Sequence, residues 1–126
     1  MVLDAAVAYR EHGTEGVVEY LDPEIEWRTR ADLPDSGTYR GQDGFRRLMS
    51  RFEEVMDDLY LEPEDIIDAG ERVIVRLRWG GRGKGSGVEI EENEETWIVA
   101  VRGGKIVRVD EYATKEAALE AAGIEA

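Results

Sequence analysis

Gly103-Gly104-Lys105-Ile106-Val107-Arg108-Val109-Asp110-Glu111-Tyr112 is a Gly-Gly turn followed by a run of alternating character. Side chains in a strand point to opposite faces with period two. Val107, Val109 and Glu111 therefore share one face, and Ile106, Arg108, Asp110 and Tyr112 share the other. With the valine face buried, the strand carries a carboxylate inward at its far end. A buried carboxylate is costly unless it is partnered or protonated, which makes Glu111 the first candidate functional group.

Working back from this strand, Val88 to Arg102 reads as another, with Trp97, Val99 and Val101 on one face. Arg72 to Trp79 sets Val73, Val75, Leu77 and Trp79 against Ile74, Arg76 and Arg78. Leu61 to Asp68 is a weaker strand that Pro63 interrupts, which predicts an edge or a bulge. Glu24 to Trp27 is a short strand with Ile25 and Trp27 together. The glycine-rich run Gly80 to Gly87 joins two strands and opens no helix, so it is a hairpin rather than a phosphate loop.

Helical patterns flank these strands. Val2 to Glu11 winds Val2, Leu3, Ala6, Val7 and Tyr9 or Arg10 along one side, and Gly13 suits its C-terminal turn. Thr14 is placed to cap a second helix, Glu15 to Leu21, which Asp22-Pro23 stops. Residues 28–40 look irregular, with a turn cluster at Pro34-Asp35-Ser36-Gly37. Gly41-Gln42-Asp43-Gly44 opens the longest helix, whose stripe is Phe45, Leu48, Met49, Phe52, Val55, Met56 and Leu59. Thr114 caps a last helix, Lys115 to Ala122, that Gly123 closes. The order predicts an α+β fold: a strongly curved, mostly antiparallel sheet with helices over its hollow side and a pocket between them.

A chain of 126 residues suits one domain over 1–126. The 29 acidic and 16 basic residues give a net charge of −13, which repels phosphate backbones and anionic membrane surfaces. No nucleic-acid or membrane partner is expected. There is no cysteine, so disulfides, thiolate metal sites and a cysteine nucleophile are excluded. The N-terminus lacks the pattern of a secretory leader, and a cytoplasmic protein is expected. The single histidine, His12, has no ligand cluster around it in sequence, so neither a metal nor another cofactor is expected.

The chain resembles the SnoaL-like branch of the NTF2-like superfamily. The matching residues are Tyr20-Leu21-Asp22-Pro23-Glu24-Ile25-Glu26-Trp27, Tyr39-Arg40-Gly41, the glycine run Gly81 to Gly87 and Gly104-Lys105-Ile106-Val107-Arg108. Glu111-Tyr112 and Ala118-Leu119-Glu120-Ala121-Ala122-Gly123 complete them. The resemblance implies a cone-shaped α+β fold. It spans polyketide cyclases, ketosteroid isomerases, epoxide hydrolases, dehydratases and plain binding proteins, so it does not choose an activity.

In the epoxide hydrolases of this superfamily a carboxylate near the end of the last strand is the general base, and Glu111 resembles it. Those enzymes also carry an inward Arg and Asp on the preceding long strand. Here Arg76 and Arg78 have outward parity, which argues against epoxide hydrolysis. Isomerase chemistry wants donors for a developing oxyanion; Tyr9 is one candidate donor, and Glu26 or Asp32 a candidate second acid. Cyclase chemistry needs one carboxylate and an apolar pocket. Glu111 as base, with Tyr9, Trp27, Phe45, Met49, Leu77, Trp79, Trp97 and Val109 against the ligand, meets that need. Three tryptophans facing one hollow favour a flat apolar ligand. A non-catalytic binding protein, and an interaction module using the outer sheet face, remain open beside the enzyme. Ile74, Ile98, Ala100, Ile106 and Tyr112 on that outer face predict a homodimer formed through the sheet.

Overall fold

The structure is a computed structural model. It describes residues 2–32 and 36–123, with backbone alone at 89–92. The helices are α1 (Val2–His12), α2 (Thr14–Val18), α3 (Gly41–Glu53) and α4 (Lys115–Ala122). The strands are β1 (Leu21–Arg28), β2 (Thr38–Arg40), β3 (Met56–Ala69), β4 (Arg72–Gly83), β5 (Glu89–Arg102) and β6 (Lys105–Tyr112). They form one curved, unclosed sheet in the order β2-β1-β6-β5-β4-β3. All neighbours are antiparallel except β1 and β6. The α+β architecture expected from the sequence is the one observed.

The inner face of the sheet and three helices share the main core. Ala5 of α1, Val17 and Val18 of α2, and Phe45, Leu48 and Met49 of α3 pack on Leu21, Ile25, Trp27, Val75, Leu77, Val99 and Val109. The period-two reading of β4 and β5 holds. Val75 and Leu77 are buried on this side, while Arg76 and Arg78 reach outward to Glu94 and Glu62.

Six local expectations need correction. First, α3 stops at Glu53, and Met56 and Leu59 belong to β3 instead. The residues that would extend the helix, Glu54, Asp57 and Asp58, are acidic where the helix dipole disfavours negative charge. The glycines of β4 then offer a partner: a Cβ at Gly81 would sit 2.9 Å from the Asp57 carbonyl oxygen, so only glycine admits this approach. Second, α2 ends at Val18 and Leu21 opens β1. Thr14 is inside α2 rather than its cap, and its hydroxyl donates to Glu53 instead. Third, Thr38–Arg40 is not irregular but pairs with β1; Pro34 and Asp35 lie outside the described residues. Fourth, the ladder between β5 and β6 pairs Ala100 with Arg108 but Val101 with Ile106. The extra residue, Val107, is a bulge, and a bulge reverses parity beyond it. Ile106 therefore faces inward, 5% exposed, and Val107 does not join the core. Fifth, in α1 the side that turns inward is Val2, Ala5 and Tyr9, while Leu3 is 57% exposed.

The sixth correction concerns the outer face. Thr114 caps α4 by accepting the Ala117 amide at 3.1 Å, and Gly123 closes it at φ 71°. The helix so fixed lies on the outer side, where Ala118, Leu119 and Ala122 bury Ile74 and Ile98. Helices thus occupy both faces of the sheet. The apolar patch that pointed to a sheet-face dimer is covered within the chain, and that ground for dimerisation is removed. Pro63 behaves as read: β3 is an edge strand, and its register shifts between Pro63 and Asp65.

Candidate functional site

Between α1, α3 and the inner sheet face lies a cavity of about 120 Å³. Each element delivers its residues by the periodicity already described. Tyr9 comes from α1, Trp27 from β1, and Phe45 and Met49 from successive turns of α3. Leu77 and Trp79 come from β4, Trp97 from β5, and Val109 and Glu111 from β6. All nine candidate residues line this one cavity. The rings are in contact: Trp27 meets Trp97 edge-on at 5.1 Å between centroids and Phe45 at 5.3 Å.

Glu111 stands directly across the ladder from Trp97. Its Oε2 accepts the Trp27 indole N–H at 2.7 Å. Burial pushes its carboxyl from 4.5 up to about 7; the charge of Glu95 adds to the rise, while the Trp27 bond, the Arg30 backbone amide and the Arg30 guanidinium oppose it. A carboxylate in an apolar site with few compensating donors holds its proton more tightly. Tyr9 also keeps its proton: burial, and then the charge of Glu53, raise its hydroxyl above the ordinary value.

A second inward carboxylate, Glu95, was not among the sequence candidates. It is 6% exposed. Its Oε2 accepts Trp79 Nε1 and its Oε1 accepts Trp97 Nε1, both at 2.9 Å. The signal for it was present, because Glu95 is two residues before Trp97 and so shares its face. It stands at the end of an acidic run inside the stretch read as a strand, and only the apolar side chains of that stretch were counted as inward. The two acids weighed instead are elsewhere. Glu26 points outward to Arg40 at 3.3 Å, and Asp32 is exposed and holds Arg30 by two bonds of 3.0 and 2.6 Å. Arg30 in turn brings its Nη1 to 3.8 Å from Glu95. The segment after β1 therefore touches both carboxylates, one through its backbone and one through its guanidinium.

The site can accept a proton at Glu111 near neutrality. It offers acceptor oxygens on two carboxylates within aromatic walls. The residues of β4 that reach the cavity are Val75, Leu77 and Trp79, while Arg76 and Arg78 point outward. Among the described residues, no group of three His, Asp or Glu side chains could hold a metal ion. No described helix is long and apolar enough to cross a membrane.

A curved sheet enclosing an apolar cavity with helices is the architecture of the NTF2-like proteins. Within that class this chain belongs to the SnoaL-like domain family, whose model matches residues 2–109. No curated protein matches the sequence. Among solved structures, an NTF2-like protein from Burkholderia thailandensis E264 is 28% identical, with a TM-score of 0.77 over 96% of this chain and 93% of that one. TerC, co-crystallised with polyporic acid, is 21% identical, with a TM-score of 0.76 over 94% and 92%. A protein of ketosteroid isomerase-like fold from Catenulispora acidiphila DSM 44928, in complex with trimethylamine, is 15% identical, with a TM-score of 0.76 over 98% and 92%. The last two likenesses speak to the fold alone.

Proposed function

We propose that the cavity holds a small, mostly apolar ring compound and that Glu111 takes a proton from it, as in a cyclisation or an isomerisation. The observation that carries this reading is the Glu111 carboxyl, buried beside Trp27 and raised to about 7. A general base works best when its pKa lies near the operating pH. The volume sets the ligand's size: about 120 Å³ is close to the roughly 150 Å³ of an apolar cavity that accepts benzene. One ring fits, and a fused steroid skeleton does not. Two solved neighbours of the same fold hold small molecules, polyporic acid in one and trimethylamine in the other. A chain without cysteine suits the reducing cytoplasm, and we assign the activity there.

A second reading, binding without turnover, is favoured by the indole bonds, which hold both carboxylates as fixed acceptors. Proton exchange separates the two. Cyclopentanone incubated with the protein in D2O should exchange its α-hydrogens, with a rate that follows one ionisation near pH 7. Glu111→Gln should abolish the exchange and keep the ketone bound. Ketone binding with no exchange at any pH would leave the binding-only reading in place.

A further inference from the structure

The walls of the cavity are unbalanced in charge. Among the described lining residues the charged side chains are Glu95 and Glu111; there is no Lys, Arg or His. The nearest guanidinium, Arg30, stands 3.8 Å from Glu95 and is engaged by Asp32 at 2.6 and 3.0 Å. Glu95 accepts on both oxygens, and its hydrogen-bond donors are the neutral indoles of Trp79 and Trp97. Each oxygen keeps further acceptor capacity. The Arg30–Glu95 ion pair is long at 3.8 Å and its guanidinium is shared with Asp32, so the buried carboxylate is only partly compensated, and the cavity beside it is where a ligand can bring a further cation. The surrounding rings, Tyr9, Trp27, Phe45, Trp79 and Trp97, are the groups that favour a desolvated cation. The net charge of −13 draws cations toward the protein and repels anions.

We propose that the ligand of this cavity is a small protonated amine, with its ammonium group paired to Glu95 and its apolar body against the aromatic walls. The inference rests on reading the cavity as a ligand site and adds the charge of the ligand. It gives the two carboxylates different tasks: Glu95 is the counter-ion, and Glu111 remains the proton acceptor.

Three compounds of one shape test it: cyclopentylammonium, cyclopentanol and cyclopentanecarboxylate, titrated calorimetrically into the full chain at pH 8. The ammonium should bind at least about tenfold tighter than the alcohol, and the carboxylate should not bind. Glu95→Gln, checked for native near-UV circular dichroism, should cut the ammonium's advantage to less than about threefold. If that variant does not fold, the wild-type ranking of ammonium over alcohol decides alone. Equal or tighter binding of the alcohol would overturn the cation and leave an apolar ligand site. Preferred binding of the carboxylate would overturn the charge argument outright. No binding of any of the three would bring down the cavity reading and the cation with it.

Discussion

Glu94 and Glu95 are neighbours in sequence and opposites in circumstance. Glu94 points out of the sheet and meets Arg76 at 3.5 Å in solvent. Glu95 points in and is held by two tryptophans. The same contrast recurs one strand away. Asp110 pairs outward with Arg108 at 2.7 Å, while Glu111 turns inward to Trp27. On the outer face acids are matched by flexible guanidinium groups in water, where each pair contributes little. On the inner face their hydrogen bonds come from rigid neutral indoles, and the one guanidinium near them, Arg30, stands 3.8 Å from Glu95. One residue of register therefore separates solubility from chemistry.

The sharpest way to break this contrast is to titrate it. The folded-state pKa of Glu111 lies above the unfolded value, so the native state binds more protons between pH 4.5 and about 7. Stability then falls as pH rises through that window, by roughly 3 kcal/mol from this group. Urea unfolding of wild type at pH 4.5 and pH 8 should contain this loss, and Glu111→Gln should lack it. An unchanged difference in the variant would place Glu111 in water. A smaller effect, about 2 kcal/mol, is expected for Trp79→Phe, which keeps the ring but removes one of the donors to Glu95. The smallest belongs to the outer face: Arg76→Ala should shift the unfolding free energy by less than about 0.5 kcal/mol. Should Arg76→Ala cost as much as Trp79→Phe, the two faces would not differ in kind.

Parity made much of this site legible. Trp27, Leu77, Trp79, Trp97, Val109 and Glu111 were placed on the inner face by counting in twos, and Tyr9, Phe45 and Met49 by helical stripes. The count failed at Val107, where an unpaired residue in β6 reversed it, because a bulge has no local sequence marker. It also failed at the end of α3, where a helical stripe ran on into residues that β4 recruits as a strand. There the deciding fact was a close backbone approach at Gly81, a contact between segments far apart in the chain. The outer face was misjudged because nothing in α4 states which side of the sheet it will cover. Glu95 was the costly omission. Its parity was readable, but only the apolar side chains of its strand were counted as inward.

The chain has three tryptophans, and every one of them donates its indole N–H to a carboxylate of the cavity. Indole emission responds in wavelength and yield to charge and proton donors beside the ring. Excited selectively over the five tyrosines, the indole fluorescence of this protein is thus a signal from the cavity. Release of the Glu111 proton, arrival of a guest or displacement of an indole from its carboxylate should each be visible without a label. The protein carries its own reporter dyes, already wired to the groups whose state one would wish to follow.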